Sequence, residues 1–344
     1  MLISVIIPFY NAAATLPGCL AALAAMRYND AEYILVDNDS TDDSVGIANR
    51  FIQANPALDA RVVREERRGW QTARNRGAME ARGEWLAFTD ADCIPDPDWL
   101  NDLAREMDKD ATVGALAGQI LPGKISNAVS KCLSMFTLPA NPEEQIFRAF
   151  TLVSGGFPTA NFAVRQMVFD QLGGFDETAE PAGDYDLCAR IYAAGFAIKA
   201  LTNARVKHQH RTKLKNFIEQ ARRFGETHAI LLKRYKPGVC LIDMPFVGSV
   251  RLETSFCRVW LEFNQADKKL MGTIIAGLIW PPLFLLSLAY LTYLSLSIYR
   301  RGALIRIPVK IVEAPVLAGL LLLKSAAMTC GRLYGSLRYK VICI

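Results

Sequence analysis

The chain has 344 residues, and its 39 Lys and Arg against 34 Asp and Glu leave a net charge of only +5. That charge is too mild, and its basic residues too concentrated late in the chain, to point to nucleic acid, while the length suffices for a full core plus an appendage or second domain. Eight cysteines (19, 93, 132, 188, 240, 257, 330 and 343) show neither C-x-x-C nor paired spacing, so neither a disulfide framework nor a zinc site is indicated and the chain reads as one from a reducing compartment.

Leu2 to Ile7 is a short apolar, β-branched run and predicts a buried strand stopping at Pro8, rather than a signal peptide. Pro8 to Asn11 predicts a turn. Leu16, Leu20, Leu23 and Met26 then mark one face of a helix. Glu32 to Val36 predicts a second strand, ending in the polar turn Asp37 to Asp42. A helix over Val45 to Phe51, a strand at Arg61 to Val63, a helix over Gly69 to Ala81 and a strand over Glu84 to Thr89 follow. Alternating strands and helices imply right-handed βαβ units and a mainly parallel α/β sheet flanked by helices. The polar turns after the first, second and fourth strands then share the carboxyl edge, where open α/β sheets bind ligands. G-x-G-x-x-G after the first strand and G-x-x-x-x-G-K-[ST] are both missing. A nicotinamide-dependent oxidoreductase is therefore disfavoured, and any nucleotide must be held by acids, a metal and main-chain groups.

The fourth strand ends in Asp90-Ala91-Asp92. Positions i and i+2 of an extended chain point the same way, and two neighbouring carboxylates suit a hard divalent ion such as Mg²⁺ or Mn²⁺. A polar strand end running into the turn Ile94 to Asp98 is the competing reading. Further on, Trp99 to Met107 predicts a helix and Leu116 to Leu121 a strand, whereas 123–150 has no sharp period. Ser154 to Thr159 predicts a flexible loop, Ala160 to Val164 a strand and Gln166 to Leu172 a helix. A helix opens near Ala182 with Asp184 and Asp186 in its first turn. Those acids either cap the helix or include a carboxylate that the helix terminus keeps ionised as a base. Lys199 to Val206 predicts a strand leading to His208-Gln209-His210, where His210 is either a structural histidine or a partner for a metal or phosphate. Arg211 to Tyr235 is a basic helical stretch, suited to solvent or to anionic headgroups.

Five segments in one order resemble the family 2 glycosyltransferases with the GT-A fold. They are Val5 to Asn11; Val36 to Asp42; Ala73 to Gly77 with Phe88 to Asp92; Gly183 to Leu187; and Gln220 to Phe224. The resemblance implies an inverting transfer of a sugar from a nucleoside diphosphate donor. It assigns Pro8, Tyr10, Asp37 and Asn38 to the base and ribose, and Arg74 to the nucleotide. Asp92 becomes the main ligand of a Mn²⁺ or Mg²⁺ ion, with Asp90 assisting through ribose or water and His210 as a third partner. Asp184 becomes the general base, and Asn161 and Arg223 are candidates for the diphosphate or acceptor. Three departures stand out. Gly183 replaces the family's Glu before the base, Asn38 falls in Val-Asp-Asn-Asp-Ser, and Phe224 replaces the Trp of processive synthases, which points to a non-processive enzyme.

Residues 272–299 contain no charged side chain, and Ala314 to Gly331 is broken only by Lys324. Both stretches are near the length that crosses a bilayer. The expected organisation is a GT-A catalytic domain over 1–235, a linker or interfacial segment over 236–271 and a membrane-attached helical tail over 272–344. Gly319 to Lys324 and Tyr334 to Leu337 resemble the membrane-bound branch that builds bacterial exopolysaccharides on a lipid carrier. That likeness implies a lipid-linked or glycan acceptor and a catalytic domain facing the cytoplasm at the inner membrane. An alternative is a membrane scaffold that keeps the fold without turnover, which Gly183 favours. Lys268 and Lys269 precede the first apolar stretch and Arg300, Arg301, Arg306 and Lys310 follow it. A single crossing therefore conflicts with the positive-inside tendency, whereas a bend at Pro281-Pro282 makes a re-entrant hairpin the other reading.

Overall fold

A computed structural model describes residues 1–137, 143–151, 155–235, 239–245, 248–253 and 258–344. They divide into two compact units, 1–124 with 138–210, and 125–137 with 211–344.

The first unit begins with β1 (Ile3–Phe9), α1 (Leu16–Ala24), β2 (Ala31–Asp37), α2 (Ser44–Ala54), β3 (Asp59–Arg64), α3 (Trp70–Met79) and β4 (Trp85–Phe88). β1 pairs in parallel with β2 and β4, and β2 pairs in parallel with β3. Period-2 alternation sorts each strand's apolar residues onto two faces. Ile3, Val5 and Ile7 pack with Leu16, Leu20 and Leu23 of α1 on one face. Ile6, Leu86 and Phe88 pack with Ala73 of α3 on the other. A sheet covered on both sides explains why these strands are continuous apolar runs. β1 runs through Pro8, which pairs with Val36. The β4 ladder has already ended at Ile6 opposite Phe88, so Pro8 sits where one flank of the strand is open and its missing N–H costs no ladder bond.

The chain continues through β5 (Cys93–Pro95), α4 (Trp99–Ala104) and β6 (Val113–Pro122). After α5 (Ala128–Phe136), which belongs to the second unit, come β7 (Gln145–Phe147), β8 (Phe162–Arg165), α6 (Gln166–Gln171), α7 (Gly183–Ala193) and β9 (Ala197–His208). The sheet order is β3-β2-β1-β4-β8-β6-β9-β5, with β7 also on β9. β8 is antiparallel to β4 and β6, and β5 is antiparallel to β9. β6 and β9 pair in parallel, so the sheet is mixed: parallel through its first half, with β8, β5 and β7 joining antiparallel. Ser154 of the expected glycine loop lies outside the described residues.

The second unit contains α5, α8 (Leu214–Tyr235), β10 (Val239–Met244), β11 (Gly248–Glu253), β12 (Arg258–Glu262), α9 (Ala266–Ile279), α10 (Phe284–Leu304), α11 (Ala314–Tyr339) and β13 (Ile342–Cys343). Three strands thus occupy the stretch expected to be a linker, and β13 completes their sheet in the order β11-β10-β12-β13. Their apolar runs are too short and too charged to signal strands without tertiary partners. Two helical segments, Pro281–Leu304 and Ile311–Tyr339, are long and apolar enough to cross a membrane. The uncharged stretch 272–299 is not one helix, because Trp280 adopts an extended backbone and Pro281–Leu283 forms a short 3-10 turn between α9 and α10.

Candidate active site

Parallel pairing puts the ends of β1, β2 and β4 on one edge of the first unit. Phe9 pairs with Asp37, and Ile6 pairs with Phe88. Short links then tie the turns together. The Asn38 N–H donates to the Phe9 carbonyl at 2.9 Å, and Asn11 Oδ1 accepts from the Thr41 N–H at 2.8 Å. Asp37 is buried and its Oδ1 accepts from the Ser40 N–H at 3.0 Å. Asn38 Nδ2 donates to the carbonyls of Glu65 and Arg67 at 3.1 and 2.8 Å, while its Oδ1 accepts from Gly69 N–H at 3.0 Å. The Asn38 side chain therefore staples 65–69 to the end of β2. Tyr10 is exposed, and the Arg68 guanidinium lies 3.2 Å from its ring centroid. That stacked pair forms a flat platform at the edge.

The two acids after β4 start from a rigid base. Phe88 packs edge-on against Phe175, with ring centroids 5.2 Å apart. Two residues later Asp90 Oδ1 accepts from Arg74 Nη2 at 2.7 Å, and this guanidinium is largely buried. Arg74 Nε is buried and has no partner among the described residues, so part of its donor fork is available to an anion. β5 turns back along β9 and places Cys93 opposite His208. Asp92 Oδ1 consequently lies 3.5 Å from His208 Nε2. Ligand atoms of Asp92, Cys93 and His208 all fall within 4.8 Å of one another. Two donors about 2.1 Å from one ion stand roughly 3–4 Å apart, so Asp92 and His208 fit a divalent cation. Burial, then the charges of Asp92 and Asp90, push the Cys93 thiol well up. It is thus a neutral thiol, 3.8 Å from Asp92 Oδ1, and a poor ligand for a hard ion. His210 is buried, its ring centroid 4.8 Å from that of His208. His208 thus stands beside Asp92 and next to the expected third partner His210, a contact the sequence did not signal because the β5–β9 register is invisible there.

α7 presents two acids in its first turn, and the structure separates their roles. Asp186 is fully buried and paired with Arg190 at 2.8 Å. Arg190 in turn donates to the Leu172 and Gly174 carbonyls. Asp186 is a structural acid. Asp184 forms no ion pair among the described residues and accepts from the Tyr185 N–H at 3.2 Å. It retains a partial opening to solvent, but protein crowds it on most sides. That burial pushes its carboxyl up to about 6, opposed by the Arg74 charge and aided by Asp90. Burial therefore outweighs the helix terminus in setting this pKa, and the carboxyl stays mostly ionised at neutral pH.

Gly183 has a physical explanation here. A Cβ at this position would fall 2.2 Å from Gln71 Nε2 and 2.5 Å from Gln71 Cγ. The Gln71 side chain occupies the room a glutamate at 183 would need. Gln71 is buried, and its Oε1 has no partner. It lies one helical turn before Arg74 on α3, the spacing that puts two side chains on one face. That spacing was the available signal, and sequence reasoning missed it.

Two further expected residues make their contacts within their own units. Asn161 is 1% exposed and its amide is fully engaged. Nδ2 donates to the Gln119 and Ala204 carbonyls at 2.9 Å each, and Oδ1 accepts from Trp99 Nε1 at 2.8 Å. It ties β6, β9 and α4 together. Arg223 belongs to α8 in the second unit, where its Nε donates to Glu219 at 3.1 Å.

Residues 4–173 match the family described as glycosyl transferase family 2. Glycosyltransferase AglE of Haloferax volcanii is 27% identical over 271 residues, 75% of this chain and 79% of that protein. The pre-mycofactocin glycosyltransferase of Mycobacterium tuberculosis is 29% identical over 241 residues, 68% of this chain but only 48% of that relative. Among solved structures, the mannosyltransferase PcManGT from Pyrobaculum calidifontis, in complex with GDP-Man and Mn²⁺, aligns with a TM-score of 0.56 at 19% identity. That alignment covers 96% of this chain and 87% of the other. GalNAc-T7 with UDP, GalNAc and Mn²⁺ aligns with a TM-score of 0.51 at 20% identity, over 68% of this chain and 50% of the other. The fold is of the GT-A architecture shared with these glycosyltransferases. Within that class, the chain belongs to glycosyltransferase family 2.

Proposed function

We propose that the chain transfers a sugar, with inversion, from a nucleoside diphosphate donor to a hydroxyl of a membrane-associated, lipid-linked acceptor. The observation carrying this reading is Asp184. It has no ion pair among the described residues, its carboxyl is pushed up to about 6, and the charges of Arg74 and Asp90 act on it. A carboxylate of that pKa is mostly ionised at neutral pH yet basic enough to take a proton from an attacking hydroxyl. Tyr10 with Arg68, and the Asp37 turn, supply a platform and acceptors for the base and ribose. Arg74 orients Asp90 and leaves its free Nε for a phosphate oxygen. Asp92 and His208 would hold the divalent ion, Mn²⁺ or Mg²⁺, with Asp90 assisting. When bound, that ion offsets negative charge building on the departing diphosphate. Inversion follows from one base acting opposite one leaving group.

In this reading residues 1–235 carry the chemistry and 272–344 attach the chain to the inner membrane, with the active site in the cytoplasm where nucleotide sugars are made. Phe224 in place of Trp supports single transfers rather than polymerisation, and the tail's likeness supports a role in exopolysaccharide assembly. Purified full-length protein supplied with Mn²⁺, a panel of labelled nucleoside diphosphate sugars and a membrane lipid extract tests the proposal. Label entering the lipid phase from one donor supports it. Donor binding without transfer in any lipid extract refutes it.

A further inference from the structure

We infer that α9 and α10 form a re-entrant hairpin that enters one leaflet of an anionic bilayer, and that neither apolar helix of the second unit crosses the membrane. This rests on the membrane attachment proposed above and goes further, to its depth and topology. Trp280-Pro281-Pro282 breaks the apolar stretch, because proline removes helical N–H donors and clashes with the preceding turn. The two helices fold back on each other. Thr273 Oγ1 and Ser287 Oγ lie 3.0 Å apart. Nearer the tip, a Cβ on Gly277 would fall 2.6 Å from the Phe284 ring, so glycine permits the close approach.

Only part of this hairpin is free. At its base the Asp267 N–H donates to Ser325 Oγ at 3.2 Å, and Thr329 Oγ1 donates to Asp267 Oδ2 at 2.7 Å. On the return, Leu294 and Ile298 are buried in a cluster with Leu133, Phe217 and Leu317, and Arg301 Nε donates to the Met135 carbonyl at 3.1 Å. Between these anchors the helices are apolar all round yet uncovered. Leu278, Ile279, Leu285 and Leu288 are 72%, 81%, 70% and 63% exposed. Each free arm is about ten residues, or about 15 Å of helix. That is half of a hydrocarbon core of about 30 Å. Lys269 flanks one arm and Arg300 and Arg301 the other, so the geometry returns both basic flanks to one side. The conflict with the positive-inside tendency disappears, and anionic headgroups complement the flanks.

α11 is long enough to cross, but its inner face lies along a charged helix. A Cβ on Gly331 would meet the Arg222 carbonyl of α8 at 1.8 Å, and one on Gly225 of α8 would meet the Met328 carbonyl at 2.0 Å. Arg338 pairs with Glu226 at 2.9 Å, and Arg222 pairs with Glu219 at 2.8 Å. A crossing by α11 would drag these charges through hydrocarbon, where each is strongly disfavoured.

The test uses the full chain in sealed inside-out and right-side-out membrane vesicles, with cysteines 240, 257 and 330 changed to serine. Lys269→Cys, Ile279→Cys and Arg300→Cys are then probed singly with an impermeant maleimide. We expect 269 and 300 to react from the same face, and 279 from neither face until detergent is added. Reaction of 269 and 300 from opposite faces would keep membrane attachment and overturn the hairpin. Reaction of 279 from the far face, or without detergent, would also overturn it. Protein absent from the vesicle fraction would defeat the attachment itself. As a second measurement, Leu278→Glu with Leu285→Glu should weaken partition into phosphatidylcholine–phosphatidylglycerol vesicles by about 50-fold or more, with nucleotide binding in detergent unchanged. Lipid-free protein that instead cross-links 279 to 279 and does not float with vesicles would make this face a dimer contact and refute the proposal.

Discussion

Replacing Asp184 by asparagine separates catalysis from stability in a way few site variants do. Burial raises its carboxyl from an ordinary 3.8 to about 6, a penalty on the charged form of about 3 kcal/mol. The folded chain therefore holds this proton more tightly than the unfolded chain. Its contribution to stability falls as pH rises from about 3.8 to 6 and stays low above that. Asp184→Asn removes the buried charge, so at pH 8 the variant should be more stable by about 1–3 kcal/mol, the lower figure allowing for residual solvent access. At pH 3, where both states are protonated, the difference should vanish. Activity should move the other way, with kcat/KM falling about 10²–10⁴-fold, the usual worth of a general base. Wild-type kcat/KM should rise through pH 6, and that limb should be missing in the variant. Urea denaturation at several pH values and initial-rate transfer assays measure both. A variant less stable at pH 8 would refute the burial argument. One that keeps full activity with the same pH profile would refute the role of Asp184 as base.

Other consequences follow from neighbouring contacts. Gly183→Ala should cost about 1–3 kcal/mol through overpacking on Gln71. Gln71→Ala should recover most of that loss, giving a coupling energy of about 1 kcal/mol or more in a double-mutant cycle followed by urea denaturation. Arg74→Met should leave Asp90 without its ion partner, destabilise the fold by about 1–3 kcal/mol and move the rising limb of the pH–rate profile above 6, since the Arg74 charge holds Asp184 down. Asp92→Asn and His208→Ala should each raise the Mn²⁺ concentration for half-maximal activity by about tenfold or more, whereas Asn161→Ala should lower the melting temperature without changing that requirement.

Much of the first unit was legible from local pattern. The continuous apolar runs at Ile3 to Ile7 and Glu32 to Val36 could only be strands covered on both faces, and their polar ends marked the binding edge before any contact was known. Asp90-Ala91-Asp92 was visible for the same reason. What stayed hidden depended on long-range register. Cys93 to Pro95 is too short to signal a strand, yet its pairing with β9 is what brings His208 to Asp92. The three contacts of Asn161 were equally hidden, because its partners Trp99, Gln119 and Ala204 are distant in sequence. Local pattern alone did not separate Asp184 from Asp186; the family resemblance singled out Asp184, and the ion pair of Asp186 with Arg190 marks Asp186 as structural. The loss of the family's glutamate at Gly183 looked like a weakened site, and only packing reveals Gln71 in its place.

The most direct test of the central claim is transfer of labelled sugar from a nucleoside diphosphate donor into a lipid extract, run side by side for the wild-type chain and Asp184→Asn at pH 7.5 with Mn²⁺. Label should reach the lipid phase with wild type, stop when the metal is chelated, and fall at least about 100-fold with the variant while donor binding persists. Equal transfer by both proteins, or no transfer by wild type from any donor it binds, would contradict the account.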